Sequence, residues 1–313
     1  MQYPVDRPVV FIVGPTAVGK TEIAIKIAEA LHAEIISADS RLFYRGMDIG
    51  TAKPSIKERK KIRHHLIDVA DPNENWSLSS FQTAAMEIID QVITKKHLPI
   101  VVGGTGQYIR ALIEVWSIPE LKPCQPLRNI LSNWGDEIGT EELFRKLQII
   151  DPEAASRMDW QNSRRTIRAL EVVLLTGKRF SELRTKNPMD FCFKMIGLTR
   201  NRNELYKRID FRLEKMLKYG FVEEVRTLLL KGFDTELPSF SAIGYKEIAS
   251  HIDGSLTLEE ATEQIKSKTH QFVRRQANWF KSSDQRIKWF EVQPGIDKWI
   301  VNYIKDDPNW WCK

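Results

Sequence analysis

Several features that define other classes of protein are scarce in this sequence. Its three cysteines, Cys124, Cys192 and Cys312, are far apart and form no CxxC pair, so neither a disulfide framework nor a zinc module is predicted. No apolar run approaches the ~18 residues that a membrane-spanning helix needs. The start, MQYPVDRPVV, lacks the basic residues and apolar core of a secretion signal. We therefore expect a cytoplasmic protein without a membrane span.

The composition is that of a folded protein. With 313 residues, 42% of them hydrophobic and 28% charged, the chain suits one large domain or two modest ones. Lys and Arg outnumber Asp and Glu by 47 to 41, and basic residues concentrate at 57–65, 164–168 and 274–281. Such clusters near Trp or His suit a phosphate backbone with unstacked bases. Solvated helix faces have the same composition, so both interpretations are open for each cluster.

Strand and helix patterns alternate in the first hundred residues. Strands are predicted at Val9–Val13, Ile35–Ile36 and Pro99–Val102, the last being the third, and helices at Thr21–Leu31 and Ser79–Lys95. Short connections between such elements are typical of a doubly wound sheet. The predicted fold class is α/β, with a P-loop-containing parallel sheet core and helices on both faces.

The middle of the chain has a different pattern. From about Pro119 to Pro188 helical periodicity dominates, as at Glu141–Ile150 and Arg164–Leu175. Strands at 193–198 and 287–292 and helices at 204–217 and 259–280 are predicted to follow. The expected organisation is an α/β core of residues 1–118 and 194–313, interrupted by an all-helical insertion domain of residues 119–193.

A complete phosphate-loop motif, GxxxxGK(S/T), follows the first predicted strand. It consists of Gly14, Pro15, Thr16, Ala17, Val18, Gly19, Lys20 and Thr21. Glycines let backbone N–H groups turn toward phosphate oxygens, and the helix that begins here adds its partial positive charge. Lys20 supplies a mobile positive charge, and Thr21 is a candidate ligand of Mg²⁺. The motif, familiar from ATP-binding proteins, predicts a di- or triphosphate site without naming the reaction.

Two further segments lie at predicted strand ends. Asp39 follows the second strand, at the edge where open α/β sheets bind their ligands. It is either a general base or a helix cap, and its position alone does not decide. Gly103–Gly106 follows the next strand, and there the backbone can approach a ligand while Thr105 donates to a phosphate. No strand ends in the Asp of a Walker B motif, which argues against an ordinary ATPase.

Six segments together resemble the bacterial tRNA dimethylallyltransferases, also called tRNA isopentenyltransferases. In order they are GPTAVGKT, SADSRLFYRGMDIGTAKP, VVGGTGQY, RALEVVLLTGK, LPSFSAIGYKE and RRQANWF, and they extend over about residues 8–290. The run DSxxxYxxMDIGTAKP is specific, because ordinary kinases lack it. The resemblance implies transfer of a dimethylallyl group from dimethylallyl diphosphate to N6 of adenosine 37 in tRNA, with release of diphosphate.

The resemblance also implies roles for individual residues. Asp39 matches the family's base, while Lys20, Thr105 and Arg212 match residues at the diphosphate. Without the resemblance, Arg212 would be interpreted as a surface charge of a helix. Mg²⁺ is the implied cofactor, and no ATP is consumed.

The resemblance further implies that the α/β core is catalytic, that the helical insertion of residues 119–193 binds tRNA, and that individual residues contact the tRNA. These contacts are implied for Asp39, Ser40, Arg41, Leu42, Thr105, Arg128, Arg164, Arg165, Thr166, Ile167 and Arg168. Arg164 and Ser241 depart from the family, which commonly has glutamine and a basic residue at these positions. Because the target adenine is stacked in the anticodon loop, it must be extruded into the site.

Three alternatives accompany this prediction. The first is a prenyltransferase acting on free adenine nucleotides, but the segment 164–168 and Arg128 favour RNA. The second is a P-loop nucleotide kinase, which the missing Walker B motif disfavours. The third, a non-enzymatic RNA-binding protein, does not explain the intact phosphate loop. We expect a cytoplasmic monomer that binds the anticodon stem-loop and dimethylallyl diphosphate.

Overall fold

The computed structural model of the protein describes residues 7–117, 121, 123–183 and 191–306. The strands are β1 (Pro8–Val13), β2 (Ala33–Ser37), β3 (His64–His65), β4 (Leu98–Gly103), β5 (Cys192–Thr199) and β6 (Ile287–Glu291). The helices are α1 (Lys20–Leu31), α2 (Ile56–Lys61), α3 (Leu78–Thr94), α4 (Gly106–Ile113), α5 (Gln125–Ile138), α6 (Thr140–Ile150), α7 (Pro152–Ala155), α8 (Ser163–Thr176), α9 (Phe180–Leu183), α10 (Arg202–Lys218), α11 (Phe221–Leu230), α12 (Tyr245–Ile252), α13 (Leu258–Ala277) and α14 (Ile296–Lys305). A 3₁₀ turn covers Pro238–Ser241. None of the helices in the described ranges is long and apolar enough to cross a membrane.

The six strands form one parallel sheet in the order β3-β2-β4-β1-β5-β6. Within it, Phe11 of β1 lies between Val101 of β4 and Met195 of β5. The carboxyl ends of parallel strands meet at one edge of a sheet, which is where such sheets bind ligands. The loops that follow β2, β4 and β1 are therefore neighbours at this edge.

Helices cover both faces of the sheet. Alternate residues of β1 point to opposite faces, so that Val10 and Ile12 pack in an apolar cluster with α1 and α14. Val9 and Phe11 pack in a second cluster with α3 and α4 on the other face. The predicted fold class, a parallel α/β core with helices on both faces, is confirmed.

Two predicted elements differ from the structure, one in the sheet and one in helix α13. The short strand β3 was not predicted, so Pro99–Val102 belongs to the fourth strand rather than the third. Strand β3 has two residues, His64 and His65, which pair with Ile35 and Ile36 of β2. Two residues are too few to show an apolar alternation in the sequence. Helix α13 ends at Ala277 instead of 280, because the N–H groups of the next residues turn back to carbonyls three positions earlier.

The chain divides into two compact units, one of residues 1–113 with 189–313 and one of residues 114–188. We call them the α/β unit and the helical unit. The helical unit contains α5 to α9 around a small core that includes Leu131, Leu143, Leu147 and Leu170, and residues 123–183 contain no strand.

The predicted domain boundaries differ in detail from this division. The predicted boundary between residues 118 and 119 lies outside the described residues, as do Pro119 and Pro188. At the other end, β5 begins at Cys192, so residues 192 and 193 belong to the sheet and not to the insertion.

Candidate active site

The phosphate loop connects β1 directly to α1. Gly14 has φ +147°, and a Cβ atom on it would lie 2.5 Å from the Leu198 carbonyl oxygen. Gly19 precedes α1 with φ +111°, a conformation that glycine adopts without strain. The glycines of the motif thus let the loop pack closely against the backbone of β5, and the N-terminus of α1 lies at the carboxyl edge of the sheet.

Lys20 folds back over this loop. Its Nζ atom donates to the carbonyl oxygens of Gly14 at 3.0 Å and Pro15 at 2.8 Å, and within the described ranges it forms no ion pair. Burial lowers the pKa of Lys20 to about 8, although the negative charge of Asp39 opposes this and Arg212 adds to it. A bound anion would favour the protonated form and raise this pKa again.

Two arginines hold the outer side of the phosphate loop. Arg208 Nε donates to the Ala17 carbonyl oxygen at 2.8 Å, and Arg200 Nε donates to that of Val18 at 3.0 Å. Ala17 adopts φ +61°, which is unusual for a residue with a side chain. Neither arginine was predicted as a residue of the site, because no sequence motif links it to a loop more than 180 residues away.

Asp39 lies in a turn two residues after β2. Its Oδ1 atom accepts the Arg41 N–H at 3.0 Å, and no described residue donates to Oδ2. The alternative that Asp39 caps a helix is wrong, since residues 40–43 form turns and no helix begins there. One carboxylate oxygen is thus held by the turn while the other is available to a ligand.

The loop after β4 approaches the phosphate loop closely. A buried glutamine of α13, Gln276, accepts the Thr16 N–H at 2.8 Å and donates to the Gly104 carbonyl oxygen at 3.1 Å. Thr105 follows directly, and its carbonyl oxygen accepts the Tyr108 N–H in the first turn of α4. Gln276 belongs to the RRQANWF segment of the sequence, but no role was predicted for it.

Arg212 extends from α10 toward the same edge. Burial lowers the pKa of its guanidinium group, the charge of Asp39 raises it, and Arg208 lowers it. Arg212 lines the cavity described below. The interpretation of Arg212 as a surface charge of a helix is therefore wrong.

One cavity of about 560 Å³ is lined by several of these residues. Its polar lining includes Thr16, Asp39, Ser40, Arg41, Thr105, Arg212 and Gln276. Its apolar lining includes Ile209, Leu213, Met216, Phe221, Ile243 and Ile265. A cavity lined both by anion-binding groups and by hydrocarbon suits a ligand with a charged head and a short apolar tail.

Glu224 holds residues 47–50, the MDIG part of the sequence motif, in place beside the cavity. Its carboxylate accepts the N–H groups of Asp48, Ile49 and Gly50 at 2.7–3.1 Å, and also the Tyr245 hydroxyl at 2.7 Å. Gly50 lines the cavity, and a Cβ atom on it would lie 2.2 Å from the Phe221 ring. Glu224 was not predicted, although the motif it holds was recognised.

Arg41, a predicted tRNA contact, is held by the 3₁₀ turn. Its guanidinium donates to Ser241 Oγ at 3.0 Å and to the Pro238 carbonyl oxygen at 3.3 Å. Ser241 therefore serves as a partner of Arg41 where the family often has a basic residue. Leu42 lies apart from the large cavity and lines a smaller one beside Thr21.

In the helical unit, two predicted tRNA contacts bind a buried carboxylate. Arg128 forms two hydrogen bonds of 2.9 Å with Glu171, and Arg168 forms one of 2.6 Å. Burial alone would raise the pKa of Glu171, but these bonds and the Cys124 N–H lower it below its ordinary value. Glu171 is 0% exposed, so both arginines help to hold this unit together.

The remaining predicted contacts lie at the start of α8. Arg164 and Arg165 are exposed, and neither forms an ion pair with a described residue. Ile167 packs partly against the core of the unit. Thr166 is 0% exposed, so its side chain is not available to a partner in this structure.

Comparison with known proteins gives consistent matches. A model of the IPP transferase family matches residues 42–283. The tRNA dimethylallyltransferase of Thermomicrobium roseum is 46% identical over 290 residues, which cover 92% of this chain and 88% of that protein. The full-length tRNA isopentenylpyrophosphate transferase of Bacillus halodurans is 38% identical, with a TM-score of 0.70 and 96% of both chains covered. A eukaryotic dimethylallyltransferase solved acting on tRNA is 26% identical, with a TM-score of 0.79 over 96% of this chain and 80% of that one.

Proposed function

The chain belongs to the IPP transferase family, and we propose that it transfers a dimethylallyl group from dimethylallyl diphosphate to N6 of adenosine 37 in tRNA. The observation that carries the proposal is the cavity of about 560 Å³ lined by Thr16 of the phosphate loop, Asp39, Thr105 and Arg212. These groups supply the two things that the transfer needs. One is a carboxylate for the proton, and the other is positive charge for the leaving diphosphate.

The reaction breaks the bond between C1 of the prenyl group and the diphosphate oxygen, and forms a bond from C1 to N6. The electron pair of the broken bond leaves on the diphosphate. An exocyclic amine is a weak nucleophile, so a base that accepts its proton lowers the barrier. The free carboxylate oxygen of Asp39 is placed to accept this proton, because the turn at Arg41 holds the other oxygen.

Charge develops on the diphosphate as the bond breaks. Lys20, Thr105 and Arg212 bind it, and groups that bind developing charge more strongly than the ground state accelerate the reaction. The apolar lining from Ile209, Leu213 and Phe221 faces the same cavity. It would contact the dimethylallyl group and keep water from the allylic carbon.

Mg²⁺ fits a second, small cavity beside the phosphate loop. This cavity of about 50 Å³ is lined by Thr21, Ser37 and Asp39, among others, and the buried Ser37 hydroxyl has no hydrogen-bond partner among the described residues. Hydroxyl and carboxylate oxygens suit Mg²⁺, which usually takes other ligands from phosphates and water. The described ranges contain no group of three His, Cys, Asp or Glu side chains that would hold a metal alone. We propose that Thr21, with the Ser37 hydroxyl, holds the ion, which would neutralise charge on the diphosphate, while Asp39 remains the base.

The tRNA partner is proposed to be the anticodon stem-loop. The exposed Arg164 and Arg165 begin α8, and a positively charged helix start binds phosphate groups. Ser40 and Arg41 line the cavity that would receive the extruded adenine. We further propose that the chain acts as a cytoplasmic monomer.

The test supplies labelled dimethylallyl diphosphate and Mg²⁺ to the purified protein, with unmodified tRNA or AMP in parallel. We expect label in tRNA at adenosine 37 and none in AMP. Label in AMP alone would identify a prenyltransferase of free nucleotides and overturn the proposal. Catalytic hydrolysis of ATP without prenyl transfer would identify a P-loop kinase or NTPase instead.

A further inference from the structure

Gln276 joins two loops that carry different parts of the proposed diphosphate site. Its side chain is 5% exposed and contacts the backbone of Thr16 in the phosphate loop and of Gly104 beside Thr105. The two hydrogen bonds, of 2.8 Å and 3.1 Å, run to residues 260 and 172 positions away in the chain. A single amide on α13 thus fixes the separation of two loops that belong to different strands.

The chemistry of the two contacts selects an amide. The Thr16 N–H needs an acceptor and the Gly104 carbonyl oxygen needs a donor, and glutamine offers both on one rigid group. A glutamate at position 276 would keep the acceptor, but would turn a second oxygen toward the Gly104 oxygen and add negative charge to the cavity. A methionine would keep the volume and lose both hydrogen bonds.

The glycines of the second loop permit this close contact. A Cβ atom on Gly104 would lie 2.3 Å from Gln276 Nε2 and 3.3 Å from the Gly14 carbonyl oxygen. A Cβ atom on Gly106 would lie 2.3 Å from Cβ of Trp279. The end of α13 therefore packs directly on the loop that carries Thr105, and its position helps to set that of the loop.

We propose that Gln276 is a positioning residue of the transfer reaction. It holds the phosphate loop and Thr105 at the separation at which both contact one diphosphate. The inference rests on the function proposed above and concerns the same cavity. Because contacts with the leaving diphosphate strengthen as the bond breaks, a small displacement of one loop reduces turnover more than donor binding.

The test compares Gln276→Met and Gln276→Glu with Gln271→Met as a matched control. Gln271 lies on the same helix and is exposed, and among the described residues its side chain hydrogen-bonds only to Ser267. We expect Gln276→Met to lower kcat by about 10- to 10²-fold, with KM for dimethylallyl diphosphate within about threefold of wild type. Gln276→Glu should also weaken binding of inorganic diphosphate, measured by calorimetry, because its charge repels the anion. Gln271→Met should match wild type in both measurements.

Several outcomes would decide against the inference. Equal kcat for the wild type and Gln276→Met, in a preparation in which the wild type modifies tRNA, refutes the positioning role and leaves the proposed function intact. A lower melting temperature with kcat unchanged for the folded fraction shows a purely structural role. If Gln276→Met does not fold, Gly104→Ala disturbs the same contact from the other loop and should show the same loss of kcat. If the wild type itself transfers nothing, the proposed function fails. In that case the inference about Gln276 is tested separately by binding of inorganic diphosphate, and equal affinities of wild type and Gln276→Glu would refute it.

Discussion

The two compact units use their cationic side chains in opposite ways. In the α/β unit, Arg212 lines the large cavity and Lys20 lines the small one, and within the described ranges neither forms an ion pair with a carboxylate. In the helical unit, Arg128 and Arg168 both bind the buried Glu171. Unpaired cations in a cavity are available to an anionic ligand, whereas cations around a buried carboxylate stabilise the fold. Whether an arginine binds a ligand or stabilises the fold therefore depends on whether a carboxylate of the protein is bound to it.

The largest expected effect tests the base of the α/β unit. Asn at position 39 can still accept the Arg41 N–H, so Asp39→Asn should keep the turn and the affinity for tRNA. Turnover should fall about 10²- to 10⁴-fold, as general-base losses typically do, in a steady-state assay with saturating donor. Glu259→Gln, which changes an exposed carboxylate of α13, should leave turnover unchanged. Turnover near wild type in Asp39→Asn would show that Asp39 is not the base.

The next effect concerns the unpaired guanidinium group. Arg212→Lys keeps the positive charge but loses the planar fork that contacts two oxygens, so turnover should fall about 10- to 10²-fold. The affinity for dimethylallyl diphosphate should stay within a few-fold of wild type, because the lost contact acts mainly in the transition state. Kinetics with donor and tRNA varied separately measures both. The control is Arg202→Lys, which changes an exposed arginine of the same helix. A wild-type kcat for Arg212→Lys would show that Arg212 does not have the proposed role.

The contrast between the units also shows what the sequence could predict. The strand β1 and helix α1 have the continuous apolar run and helical spacing of buried elements, and the glycine motif between them identifies a phosphate loop. Asp39 and Thr105 follow from strand ends at one edge of the sheet. The predicted positions of these elements and residues agree with the structure because each depends on local sequence, while the roles of Asp39 and Thr105 stay predictions.

Contacts between distant residues could not be predicted. Gln276, Glu224 and Arg208 hold backbone groups of the site loops, and their partners are 172 or more positions away. The role of Glu171 was hidden for a similar reason, since Arg128 lies 43 positions away. Even Arg168, only three positions away, appeared as part of a basic cluster and not as half of an ion pair.

The third prediction tests the buried carboxylate of the helical unit. Glu171→Gln should destabilise this protein by about 1.5–3 kcal/mol, because hydrogen bonds from two arginines to a charged group are weakened. The pKa of Glu171 is lower in the folded protein than its ordinary value of 4.5, so its stabilisation is present above that pH and is lost as the pH falls below it. Denaturant unfolding between pH 7 and pH 3 should show this loss in wild type. The difference between wild type and Glu171→Gln should shrink in acid, and a constant difference would contradict the ion-pair role.

The smallest effect concerns two predicted tRNA contacts of the helical unit that Glu171 does not hold. Arg164 and Arg165 are exposed at the start of α8, so replacing both with Ala should leave the melting temperature unchanged. Affinity for tRNA should fall, and the slope of log K against log salt should flatten by about one for each lost phosphate contact. The double variant Arg145→Ala and Arg157→Ala removes the same charge from exposed positions of the same unit and should keep the wild-type slope. If both double variants lower affinity equally, the effect is one of net charge, and Arg164 and Arg165 belong to a solvated helix face.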